Sequence, residues 1–242
     1  MGLLSLPREH GAYITLLGAG VSALVLAPDR VGVLGVALAF TLAFFVRGPL
    51  ERRAAGHPLR RWDRPAMALL IGLCASAVWL AARDRPGLLP LLAAAVLALP
   101  VTALLARRGR FLRGPGFEMI AMGCLGASAG LAAWRGGLEM GAAACLALVL
   151  GAHAAASVPL VRSQVRRRGA EPGLLVAGAA VLAGAGLGVV LLGRPLLLLA
   201  FAPRAAGLAA SLTGPRHAAA PAVGLEETGL LCLAVALLVS VA

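Results

Sequence analysis

Lysine is absent from this chain: all 22 basic residues are arginine, set against only 10 acidic ones, for a formal charge of +12. Aromatic residues are also scarce, at 4 %, with a single tyrosine. Basic nucleic-acid binders pair their charge with stacking platforms or a recognition motif. Neither is present, so nucleic acid is excluded as a partner. Charge of either sign is rare, at 13 % of residues. The four cysteines (Cys74, Cys124, Cys145 and Cys232) form no CxxC pair and lie inside apolar runs. They read as small buried hydrophobes, not as a disulfide framework or a thiolate metal site. No glycine-rich phosphate loop, nucleophile elbow or zinc spacing such as HxxxH occurs. Alternating apolar and polar residues are missing too, which excludes a membrane β-barrel.

What fills the space is hydrophobicity: 60 % of residues are apolar and the mean hydropathy is +0.92. These values lie outside the soluble globular range and indicate a polytopic membrane protein. A spanning helix needs about 20 mostly apolar residues. Apolar windows fall at 11–27, 31–46, 66–82, 87–106, 116–134, 138–160, 173–192, 195–213 and 223–241. The expected fold is therefore all-α, about nine transmembrane helices in a single integral membrane domain over 1–242. The first window is read as a retained span and not a cleaved leader, because it is long and is preceded by Glu9 as well as by Arg8. Arg204 interrupts the eighth window and Glu226–Glu227 open the ninth.

The loops give the expected orientation. Arg47, Arg52, Arg53, Arg60, Arg61 and Arg64 lie between the second and third windows. Arg107, Arg108, Arg110 and Arg113 follow the fourth, and Arg162, Arg166, Arg167 and Arg168 follow the sixth. The intervening connections, "PDR", "RDRP", "WRGG" and "GRP", are poor in charge. By the positive-inside rule the arginine-rich loops are cytoplasmic, with the N-terminus inside and the C-terminus outside an inner membrane. Those loops are also expected to meet anionic phospholipid.

On that topology the remaining polar residues collect in one half of the membrane. Arg8, Glu9 and His10 open the first helix, while Arg47 and Glu51 close the second. Glu118 opens the fifth, His153, Ser157 and Arg162 run along the sixth, Arg204 follows Pro203 in the eighth, and Glu226 opens the ninth. An ionised group at a helix centre costs about 2.5–3.5 kcal/mol on insertion scales. Several on different helices suggest a shared polar cavity facing the cytoplasm. In it the arginines would fork an anion, and Glu9, His10 or Glu118 would move protons. The structural alternative is that the glutamates simply pair with the arginines. Gly126-x-x-x-Gly130 and Gly184-x-x-x-Gly188 are read as packing within the molecule, not as a dimer code.

"LPREHGAY", with "RGPL", "VPLVRSQVRRR" and "VGLEETGLL" further on, resembles the YwiC-like family of bacterial integral membrane proteins. The architecture is similar to that of the UbiA prenyltransferase superfamily, which implies nine helices and active-site loops after the second and sixth. That superfamily holds Mg²⁺ and a prenyl diphosphate on Asp-rich motifs at those loops. Here they read "RGPLERR" and "VRSQVRRR", with no aspartate to bind the metal, so neither cofactor nor metal is expected. The combined expectation is a site for an anionic-headed lipid or isoprenoid-like small molecule. Glu9, His10 and Glu118 would act catalytically, and Arg8, Arg47, Glu51, His153, Arg162, Arg204 and Glu226 would bind. A lipid-modifying transferase and a transporter or lipid-binding protein are the two competing functions. Oligomeric state is open.

Overall fold

The computed structural model describes residues 10–54, 56–105, 114–165 and 172–213. Among them are eight α-helices and no strand: α1 (His10–Leu26), α2 (Arg30–Ala54), α3 (Asp63–Ala82), α4 (Leu89–Leu105), α5 (Pro115–Arg135), α6 (Met140–Val165), α7 (Pro172–Leu191) and α8 (Ala202–Thr213). Short 3₁₀ stretches, Pro86–Leu88 and Pro195–Phe201, precede α4 and α8. Five spans are long and apolar enough to cross a membrane: Arg30–Leu50, Asp63–Ala82, Pro115–Arg135, Met140–Arg162 and Pro172–Leu191. Three shorter apolar helices accompany them, at Ala12–Leu26, Pro86–Ala98 and Pro195–Ser211. The ninth window, 223–241, lies outside the described residues.

The helices follow the apolar windows closely, with two informative departures. α2 and α6 run on past their windows to Ala54 and Val165, and each carries a proline inside it, Pro49 and Pro159 respectively. Proline removes one backbone donor, but neighbouring helices let a spanning helix carry it. The eighth window is not one helix. It starts as a 3₁₀ stretch at Pro195 and becomes α-helical only at Ala202, where Pro203 falls in the first turn. Proline is well suited there because the first-turn N–H has no intrahelical acceptor to lose.

Consecutive helices run antiparallel, so the connections 27–29, 83–88, 136–139 and 192–194 share one end of the bundle. We call this the short-loop end, and its opposite the arginine-rich end. α6 is the central helix, with 72 % of its span buried, against 28 % for α3 and 33 % for α7 on the periphery. α5 lies against it with almost no side chain between. A Cβ on Gly126 would meet the Leu150 carbonyl, and one on Gly130 the Ala143 carbonyl and the Ala147 Cβ. The first GxxxG is thus used inside the molecule, as expected. In the second, Gly188 faces Leu148 while Gly184 has open space around it. Backbone-to-backbone contact leaves no room to relax, so Gly130→Val should separate α5 from α6 and destabilise the bundle by about 1–3 kcal/mol. Gly184→Val should be nearly neutral. A thermal-unfolding comparison of the two variants in the same detergent checks this.

Candidate functional site

Two pairs of the expected site residues come together, both on α6. Near the arginine-rich end, Glu118 in the first turn of α5 accepts two hydrogen bonds from Arg162. They are 3.0 Å from Nε to Oε2 and 2.7 Å from Nη2 to Oε1. This bidentate geometry is the strong form of the ion pair. It also occupies the carboxylate and the guanidinium with each other, realising the structural alternative at these positions. The pair is open to one side, with side-chain exposures of 45 % for Glu118 and 19 % for Arg162.

The second pair is deep. His153 stands midway along α6 at 1 % exposure, and Arg204 on α8, which packs on α6, is equally buried. The Arg204 guanidinium lies close enough to act electrostatically on the His153 ring. Neither His153 Nδ1 nor Nε2 has a hydrogen-bond partner among the described residues. A neutral imidazole carries one donor and one acceptor, and leaving such groups unmade in a buried site costs about 1–3 kcal/mol each. Ser157, one turn along α6, does not relieve this, because its hydroxyl donates to the Ala154 carbonyl at 2.7 Å.

Of the other expected residues, Arg47 is half-buried near the end of α2 and already has interactions of its own. His10 and Glu51 lie on described backbone, but their side chains lie outside the description, and Arg8, Glu9 and Glu226 lie outside the described residues altogether. Among the described residues, no group of three His, Cys, Asp or Glu gathers closely enough to hold a metal ion. A cavity of about 520 Å³ lies between α7, the 195–201 stretch and α8, and none of the expected site residues lines it. Its walls are apolar throughout.

The charge cluster that sequence reasoning missed is at the short-loop end. Arg135, the last residue of α5, is only 4 % exposed. Its Nε donates to the Ala81 carbonyl, and Nη1 donates to Asp29 Oδ2 at 2.8 Å. Asp84 lies 3.6 Å from Nη2. Ala81 carries one of the last carbonyls of α3, which no N–H of its own helix reaches. Asp29 meanwhile caps α2, its Oδ1 accepting the N–H groups of Val31 at 3.1 Å and Gly32 at 3.0 Å. Those backbone donors, with the Arg135 bond and charge, hold the Asp29 carboxyl below its ordinary value of 3.8 against opposing desolvation. One guanidinium therefore ties the start of α2, the end of α3 and the end of α5 together. Gly32 provides the room for it, since a Cβ there would sit 2.5 Å from Arg135 Nη1.

The elements above define an α-helical membrane protein with a bundle of apolar spans. The family description "YwiC-like protein" matches residues 6–114, so the resemblance carried by "LPREHGAY" and "RGPL" is shown over the N-terminal part of the chain. That stretch takes in α1 to α4 and ends before α5, leaving Glu118, Arg135, His153, Arg162 and Arg204 beyond it. No curated protein matches the chain, and no solved structure does.

Proposed function

We propose that this protein binds an amphiphile with an anionic head inside the membrane, with His153 and Arg204 receiving the head group. The observation that carries this reading is His153: a fully buried imidazole with both ring nitrogens unpartnered beside a buried guanidinium on the next helix. Arg204 supplies positive charge and a planar fork suited to phosphate or carboxylate. The imidazole supplies a donor and an acceptor that an acidic head group can satisfy together. Low effective dielectric strengthens each of these contacts relative to water.

On this reading the described helices belong to a nine-helix, UbiA-like bundle, with 223–241 as the ninth span and the arginine-rich end in the cytoplasm of an inner membrane. The arginine-rich loops lie against anionic phospholipid. The ligand is an anionic-headed lipid or isoprenoid-like molecule. Binding or transport is favoured over transferase chemistry by the engagement of Glu118 with Arg162, which leaves His153 as the group available to move a proton at the deep site. The broken eighth element adds weight, since discontinuous helices near mid-membrane commonly form transporter binding sites.

The test is mass spectrometry of lipids that co-purify with the protein. Wild type should retain an anionic amphiphile, and Arg204→Ala should not. Equal retention by both, or none by wild type, would remove the support for this reading.

A further inference from the structure

The apolar cavity beside α7 belongs to a different part of the molecule. Its floor is made by buried Leu182, Phe201 and Leu208, and its rim by exposed Val176, Leu187 and Val190. The hollow exists because the facing helices carry small side chains along it, such as Ala179 and Ala183 on α7 against Ala205 on α8. From Val176 to Val190 the lining runs along α7 for roughly 21 Å at the helical rise. The volume open along it is about 520 Å³. A trough of that length with an apolar lining suits an extended hydrocarbon chain. The groove opens along exposed Val176 and Leu187, on a span of which only 33 % is buried.

Charge stands at one mouth. α7 ends in a left-handed turn at Gly193 (φ 75°), and the Arg194 N–H bonds back to the Val189 carbonyl at 2.9 Å. This fixes Arg194 at the short-loop end of the groove, next to Val190 and four residues before Leu198. Its side chain is half-buried. Among the described residues it forms no salt bridge, whereas Arg135 and Arg162 both do. An arginine at the interfacial end of an apolar groove complements a lipid phosphate.

We infer that this groove is a binding site for one tail of an anionic phospholipid, with the lipid phosphate held by Arg194. The site is separate from the head-group position proposed at His153 and stands or falls independently of it.

The test uses the full chain in nanodiscs doped with phosphatidylglycerol carrying a photoactivatable diazirine in one acyl chain, read out by peptide mass spectrometry. Adducts should concentrate on α7 and on 195–213, several-fold above those on the equally lipid-exposed face of α3 around Leu69 and Ile71. Ala183→Phe, which fills the groove from an exposed position, should reduce the α7 adducts several-fold and leave those on α3 unchanged. Arg194→Gln should reduce them more in phosphatidylglycerol than in matched phosphatidylcholine discs, where the choline already neutralises the phosphate. Adducts spread evenly over α3 and α7, or indifferent to Ala183→Phe, would overturn the inference. A head-group preference unchanged by Arg194→Gln would overturn the role given to Arg194.

Discussion

Replacing Arg135 by methionine should destabilise the bundle by about 2–3 kcal/mol, the range for a lost hydrogen bond to a charged group, moderated because the carboxylates left behind reach solvent. Methionine keeps much of the side-chain length and none of the charge. The variant loses the cap on the Ala81 carbonyl and the ion pair to Asp29 together. Asp29→Asn should cost nearly as much, because it leaves a 4 % exposed guanidinium facing a neutral amide. Gly32→Ala should reproduce part of the loss without touching either charge, by pushing the guanidinium out of the place that glycine leaves for it. Thermal unfolding of the three variants gives the ranking. A neutral Gly32→Ala would show that the guanidinium has another resting place.

The pH dependence of the same latch has a definite sign. Asp29 has a folded-state value below its ordinary 3.8, so folding favours its ionised form. Its contribution is complete at neutral pH and is lost as pH falls below about 4, through the lowered value. Wild type should therefore lose stability in that acid range, and Arg135→Met should lose less, since most of the Asp29 contribution is already gone. The difference will be modest, because the Asp29 side chain is 43 % exposed and surface screening weakens such pairs.

The second large effect belongs to Arg204. Arg204→Met, which keeps the side-chain bulk, should lower retention of the anionic amphiphile by at least about tenfold, since charge-assisted hydrogen bonds are worth about 1.5–3 kcal/mol and 1.4 kcal/mol is a factor of ten. Arg204→Lys keeps the charge but not the fork, and should fall between the two. His153→Phe should also weaken retention while raising thermal stability slightly, because it removes unpartnered polar atoms from a packed interior. That opposition between binding and stability distinguishes a ligand-facing histidine from a packing one. Glu118→Gln serves as the control: it should perturb the α5–α6 junction and leave retention unchanged.

Helix positions were legible in the sequence because each apolar window is long and bounded by charge or by Gly and Pro. Helix ends were less so, since Pro49 and Pro159 look like terminators and are instead carried inside α2 and α6. The family resemblance was legible from "LPREHGAY", and it holds over residues 6–114. Pairing was not legible: Glu118 and Arg162 are 44 positions apart, and nothing in composition says that this arginine meets this glutamate. The Arg135 cluster was overlooked because "PDR", "RDRP" and "WRGG" were weighed as charge-poor loops. Their opposite signs at one end of the bundle are the available signal, as two aspartates and four arginines occupy three connections that the topology brings together. His153 and Arg204 are both expected binding residues, on different helices. The structure buries both, on packed helices, with the Arg204 charge within electrostatic reach of His153.

The central claim is that a head group completes the hydrogen bonding of His153. The most direct measurement is the ¹⁵N spectrum of the His153 ring in the protein as purified and after exhaustive delipidation, assigned with His153→Phe. The account predicts that at least one ring nitrogen shifts toward its hydrogen-bonded position when the amphiphile is present, and that Arg204→Met abolishes the difference. An identical ring spectrum in the two preparations, with the amphiphile demonstrably bound in the first, would contradict it.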